Sequence, residues 1–174
     1  MRHSFLVLGL VFINLFPLMG QYKKTAACRQ EAFDKKVNSY LSYTVPVISV
    51  QDAHDKFSDY LFLDAREFNE YQTSHIPQAR YVGYDDFDFD NIKDIPVNKK
   101  IIVYCSVGYR SEKIATQLRK KGYKQVWNLY GSLFEWVNAG YDVSDKTGKP
   151  TTKIHTYNKD WSQWVTNPKA NKIW

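Results

Sequence analysis

From Val47 onward the chain alternates short apolar runs with helical segments, and that alternation limits the folds open to it more than any other feature. The apolar runs are 47–50, 61–63, 80–83, 101–104 and 125–129, and the segments with helical spacing lie near 51–57, 67–72, 111–121 and 132–139. Strands too short to stand alone, each followed by a helix, predict an α/β fold with a five-stranded, mostly parallel sheet covered by helices on both faces. Gly122 and Gly140 each stand just past a helical segment, where a left-handed cap closes the last turn. Ahead of this unit, Ala26, Gln30, Phe33, Val37, Tyr40 and Leu41 recur at helical spacing and predict an amphipathic helix over 26–43. Pro46 ends it, since the residue before a proline is pushed out of the helical region. The chain therefore divides into an N-terminal helical extension (21–45), an α/β domain (46–143) and a basic, aromatic C-terminal tail (144–174), behind a leader of twenty residues.

That leader begins with the basic Arg2 and His3, and an apolar run then extends from Phe5 to Met19. As a helix it would span about 22 Å at ~1.5 Å per residue, short of a hydrocarbon core of ~30 Å. With Gly20 at its end, residues 1–20 are expected to be a signal peptide, the mature chain starting at Gln21. The protein is then exported, most simply to a bacterial periplasm. Leu18 is large for its place before the cut, and the alternative is an uncleaved anchor facing the same compartment. Of the net charge of +6, most belongs to the tail, where six lysines face Asp145 and Asp160. The near-neutral body speaks against a nucleic-acid-binding face. Two cysteines are too few for a disulfide-stapled miniprotein or a four-cysteine zinc site.

The chemistry is concentrated after the fourth apolar run. Ile101, Ile102, Val103 and Tyr104 deliver Cys105-Ser106-Val107-Gly108-Tyr109-Arg110-Ser111 directly into a helical segment. Ligands of open α/β sheets bind where strands end and the following helices begin. Gly108 permits a turn that aims successive amides of Ser106, Val107, Gly108, Tyr109 and Ser111 inward, and Arg110 adds positive charge. Cys105 opens this cradle, so its thiol is expected to ionise below the free value of about 8.5. Ser111 is expected to be the N-cap of the helix. The alternative is that Cys105 is merely a small buried hydrophobe.

With these residues in view, the stretch 46–143 resembles the single-domain rhodanese family. Leu61-Phe62-Leu63-Asp64-Ala65-Arg66 is similar to its strand ending in Asp-x-Arg. Glu67-Phe68-Asn69-Glu70-Tyr71 through Ser74-His75-Ile76-Pro77-Gln78-Ala79 is similar to its stretch around Gly-His-Ile-Pro-Gly-Ala. The segment from Asn128 to Ser132, followed by Trp136 and Gly140, is similar to its closing motif. The resemblance implies a sulfurtransferase: Cys105 takes a sulfane sulfur from a donor such as thiosulfate, forms a persulfide, and passes the sulfur to cyanide or a thiol. No metal or organic cofactor is implied. The six-residue loop from Cys105 to Arg110 is the sulfurtransferase length. Phosphatases related to this fold carry one residue more, and commonly His where Tyr104 stands. Ser74, Gln78 and Ser132 replace glycines of the family pattern. A non-catalytic rhodanese-like module, binding a partner or delivering protein-bound sulfur, is the competing expectation.

Other residues carry weaker expectations. Asp64 and Arg66 are expected to make supporting hydrogen bonds near the loop, and His75 a structural turn. His3, His54 and His155 are scattered and suggest no metal set. The acidic stretch 85–90 lacks the Gly and terminal Glu of a calcium loop and is expected to be a solvated connection. Cys28 is expected to be an inert helix residue, the alternatives being a resolving thiol or a disulfide partner of Cys105. Trp161, Trp164 and Trp174 stand among the tail lysines and are expected to fold back on the body, the alternative being contact with an anionic membrane surface or a protein.

Overall fold

The computed structural model describes residues 21–174; the signal-peptide expectation for 1–20 lies outside the described residues. In chain order the elements are α1 (Glu31–Tyr40), β1 (Val47–Ile48), α2 (Val50–Asp55), β2 (Leu61–Asp64), α3 (Phe68–Thr73), β3 (Arg80–Tyr81), β4 (Lys100–Tyr104), α4 (Tyr109–Lys120), β5 (Gln125–Leu129), α5 (Ser132–Asn138), β6 (Lys153–His155) and β7 (Asn171–Ile173). The first five strands form one parallel sheet in the order β1-β5-β4-β2-β3, with β4 at its centre.

Side chains of β4 alternate between two cores, as the two-residue period of a strand requires. Ile101 and Val103 join Ile114, Ala115 and Leu118 of α4, together with Leu63 and Val126, on one face. Ile102 and Tyr104 join Phe33 and Val37 of α1 and Leu133, Phe134 and Val137 of α5 on the other. The expected five-stranded sheet with helices on both faces is thus present, and it is wholly parallel.

Several boundaries differ from expectation. The helix expected over 26–43 is only Glu31–Tyr40, and Cys28 lies in the irregular segment before it. That segment is held by side chains from elsewhere: the Cys28 amide donates to Asp34 (2.9 Å) and the Arg29 amide to Glu135 (2.8 Å). The apolar run 47–50 is split, because Ser49 accepts the Asp52 amide (3.0 Å) and caps α2, which draws Val50 into that helix. Two helix ends behave as expected. At Gly122 (φ +109°) the amide of Tyr123 reaches back to Leu118 and that of Gly122 to Arg119, a Schellman closure, and α5 closes in the same way around Gly140.

The tail folds onto the body at two of its three tryptophans. Trp164 stacks on Phe33 of α1 (5.6 Å between centroids), and Trp161 lies against Tyr40 (5.7 Å). Trp174 remains exposed. β6 and β7 pair in parallel as a small second sheet, and Ile154, Thr156 and Val165 are buried. Among the described residues, no helix is long and apolar enough to cross a membrane.

Candidate active site

Cys105 is the first residue past β4 and is 2% exposed. Its loop is pinned from behind. The first amides of α5 have no partners within their own helix, and those of Leu133 and Phe134 donate to the carbonyls of Cys105 and Ser106 (both 3.1 Å). With these carbonyls turned toward α5, the loop's amides are free to face the thiol, and the Gly108 N–H donates to Cys105 Sγ at 3.1 Å. Gly108 stands at φ +121°, a conformation that L side chains rarely adopt, and it is the N-cap of α4.

The helix therefore begins at Tyr109, two residues earlier than expected, and Ser111 is not its cap. The hydroxyl of Ser111 instead donates to Asn128 Oδ1 (2.7 Å), and Asn128 Nδ2 donates to the Gly108 carbonyl (2.9 Å). Asn128 on β5 thus fixes both ends of the turn. Ser132 contributes the other brace: its hydroxyl accepts the Cys105 amide (3.1 Å) while donating to the Leu129 carbonyl (3.1 Å).

Burial pushes the Cys105 thiol up, but the Arg110 guanidinium and the amides of Ser111 and Gly108 outweigh it. The thiol lies below its ordinary value. All of these groups sit on the first turn of α4 or at its cap, where the helix dipole also favours negative charge.

Arg110 is not free to swing over the loop. Glu70 of α3, 1% exposed, takes both terminal nitrogens of the guanidinium (2.8 and 3.0 Å), and Ser106 Oγ bridges the same pair. Burial pushes the Glu70 carboxyl up, yet the hydrogen bonds from Arg110 and the charges of Arg66 and Arg110 hold it below the usual carboxylate range. Glu70 is the residue that sequence reasoning missed. Its only sequence signal is its spacing from Glu67: the two form a reciprocal cap at the start of α3, with the Glu67 amide donating to Glu70 (3.0 Å).

Asp64 and Arg66, expected to support the loop, bond to each other and to the Ser74 carbonyl rather than to residues 105–111. Arg66 is fully buried, gripping Asp64 through Nε (2.9 Å) and Nη2 (2.7 Å) and reaching the Ser74 carbonyl. The hydroxyl of Tyr104, the residue before Cys105, accepts the Ile76 amide (3.0 Å). His75 Nδ1 lies 2.9 Å from the Tyr71 carbonyl, and the two rings stack at 4.1 Å, a structural placement. Cys28 is free and buried outside any helix, and burial, then Glu135 and Asp34, push its thiol up.

Above Cys105 opens a pocket of about 460 Å³. Val107, Tyr109 and Arg110 of the loop line it, and the tail supplies Tyr157 and Trp161. The arrangement can present a thiolate at the floor of a pocket and stabilise negative charge beside it.

The profile of the rhodanese-like domain matches residues 49–139. Curated relatives include tRNA uridine(34) hydroxylases of Escherichia coli (30% identical over 89 residues, 48% of this chain and 25% of the relative) and Escherichia fergusonii (31% over 84 residues, 45% and 24%). The matched segment spans about a quarter of these relatives' length. Among solved structures, a Bacillus halodurans protein superposes with a TM-score of 0.55 at 20% identity, covering 64% of this chain and 85% of that one. A rhodanese-related protein from Thermoplasma volcanium gives 0.52 at 24% identity, with 57% and 97% covered. These two likenesses are of fold. Since the profile runs over more than half of its residues, from the capped start of α2 through the Cys105 loop to the end of α5, the chain belongs to the rhodanese-like domain family.

Proposed function

We propose that the protein is a sulfurtransferase working through a persulfide on Cys105, exported with residues 1–20 as its signal. The observation that carries this reading is the surroundings of one sulfur atom: Cys105 Sγ has the Gly108 amide at 3.1 Å and the Arg110 charge beside it, at the floor of a pocket. In the first half-reaction the Cys105 thiolate attacks the outer sulfur of a donor such as thiosulfate. The sulfur–sulfur bond of the donor breaks, sulfite leaves with the electron pair, and Cys105 holds a persulfide anion. In the second half-reaction a thiol, as thiolate, or cyanide attacks that outer sulfur, and the Cys105 thiolate is released. No net oxidant is consumed, and both half-reactions keep negative charge where the amides and Arg110 can stabilise it.

The thiosulfate sulfurtransferase of Pseudomonas aeruginosa shares the fold (TM-score 0.50, 24% identity, 70% of this chain and 23% of that one), which is compatible with this reading. A hydroxylase activity like that named for the curated relatives is not proposed, since the match covers a quarter of those proteins. The test is thiocyanate production from thiosulfate and cyanide by the wild-type protein beside Cys105→Ala. Turnover in the first and none in the second supports the reading; no turnover and no sulfur bound to the wild type overturns it.

A further inference from the structure

The pocket over Cys105 has a chemistry that a small inorganic dianion does not need. Its volume of about 460 Å³ falls within the ~300–1,000 Å³ of sites that hold organic molecules. Its walls are aromatic: Tyr40 from α1, Tyr109 from α4, and Tyr157 and Trp161 from the tail. Tyr40 contacts both Tyr109 (6.2 Å) and Trp161 (5.7 Å), so three separate parts of the chain build one aromatic wall. The charged groups on the lining are Glu67, Asp85 and Arg110. Arg110 is already matched by Glu70, and Glu67 stands 3.6 Å from the same guanidinium. The mouth is therefore acidic and aromatic, while the floor carries a thiolate. Aromatic faces beside carboxylates attract cations and repel dianions. Lys36 lies 5.0 Å from the Tyr40 ring centroid and Lys113 5.2 Å from that of Tyr109, so these rings already accept ammonium groups. Neither lysine lines the pocket.

We propose that the physiological sulfur acceptor is an organic thiol with an apolar or aromatic body and a positive charge, received between the aromatic wall and Glu67 and Asp85. This rests on the sulfurtransferase reading and adds the substrate class. The acceptor's thiolate attacks the outer sulfur of the Cys105 persulfide, the sulfur–sulfur bond to Cys105 breaks, and the acceptor leaves as its own persulfide. Glu67, Asp85 and Trp161 are specificity residues in this scheme, holding the distant charge while the thiolate reaches the floor.

The test separates this proposal from the sulfur-transfer reading by measuring ligand preference without turnover. The rate of Cys105 alkylation by iodoacetamide is followed by peptide mass with benzyltrimethylammonium or benzenesulfonate present. The proposal expects saturable protection by the cation at concentrations about tenfold below any effect of the sulfonate, a difference of the size of one cation–π contact with an ion pair. Glu67→Gln and Trp161→Ala should each weaken that protection severalfold, with far-ultraviolet circular dichroism showing that both variants are folded. Equal protection by the two ligands, or stronger protection by the sulfonate, overturns the proposal. A persulfide-loaded enzyme that discharges to thiocholine faster than to 2-mercaptoethanesulfonate, each corrected for thiolate fraction, supports it; the reverse order overturns it. A protein that binds the cation but never forms a persulfide would sink the sulfur-transfer reading and leave the pocket's preference standing.

Discussion

Two cysteines of this chain are nearly equally buried, Cys105 at 2% exposure and Cys28 at 8%, and their thiols are driven in opposite directions. Burial raises both. At Cys105 the neighbours are hydrogen-bond donors and a guanidinium: the Gly108 amide, Ser111 and Arg110. At Cys28 they are the carboxylates of Glu135 and Asp34, which add to the effect of burial. Depth in the fold is therefore no guide to a thiol's reactivity, and the sign of the groups around it decides. Two consecutive residues touch the two environments. Gly131 faces Cys28, where an added Cβ would lie 2.7 Å from its sulfur, and Ser132 braces the Cys105 amide.

The contrast breaks most severely at Arg110. Arg110→Ala leaves Glu70 buried without its main partner and is expected to destabilise the fold by about 3–5 kcal/mol. It should also move the midpoint of the Cys105 alkylation profile to higher pH; chemical denaturation and a pH series of alkylation rates check the two effects. A midpoint that stays in place would show that the helix amides alone set the thiol's acidity.

The pH dependence of stability sharpens the contrast, because the two thiols act with opposite sign. The folded value of Cys105 is depressed, so its contribution is full above the unfolded value of about 8.5 and is lost as pH falls through the folded one. The folded value of Cys28 is raised, so its contribution is full below about pH 8.5 and is lost as pH rises toward the folded one. Each proton is worth about 1.4 kcal/mol per pH unit at full effect. Denaturation of Cys28→Ala should therefore show a shallower alkaline loss than the wild type, and Cys105→Ala a smaller gain on approaching pH 8.5.

Smaller effects are expected from Gly131 and Ser132, which touch one environment each. Gly131→Ala puts a Cβ against Cys28 and Glu135 at φ +71° and should cost about 1–3 kcal/mol, less in a Cys28→Ala background, as a double-mutant cycle would measure. Ser132→Ala removes the acceptor of the Cys105 amide and should cost about 1 kcal/mol.

What the sequence disclosed and what it concealed follow from how local each determinant is. The run 101–104 and the glycine three residues after Cys105 predict a strand ending in a tight anion-facing turn, and both signals are contiguous in the chain. The caps at Gly122 and Gly140 are legible for the same reason, since their hydrogen bonds close within six residues. The start of α1 is not legible, because Asp34 and Glu135 take the amides of Cys28 and Arg29 and hold them outside the helix. The role of Ser111 is not legible in its own neighbourhood, because Asn128 on β5 supplies its partner. Glu70 was missed because its significance depends on Arg110, forty positions away. Gln78 and Ser132 replace glycines of the family pattern and still adopt positive φ (62° and 51°), so the backbone course persists where the sequence signal for it has gone.

The central claim is that only one of the two thiols carries sulfur. It is tested most directly by incubating the reduced protein with thiosulfate and locating any added sulfur by peptide mass spectrometry. The account predicts one extra sulfur on the peptide containing Cys105, removed by cyanide, with the Cys28 peptide unchanged. Sulfur on Cys28, or on neither peptide, would contradict it.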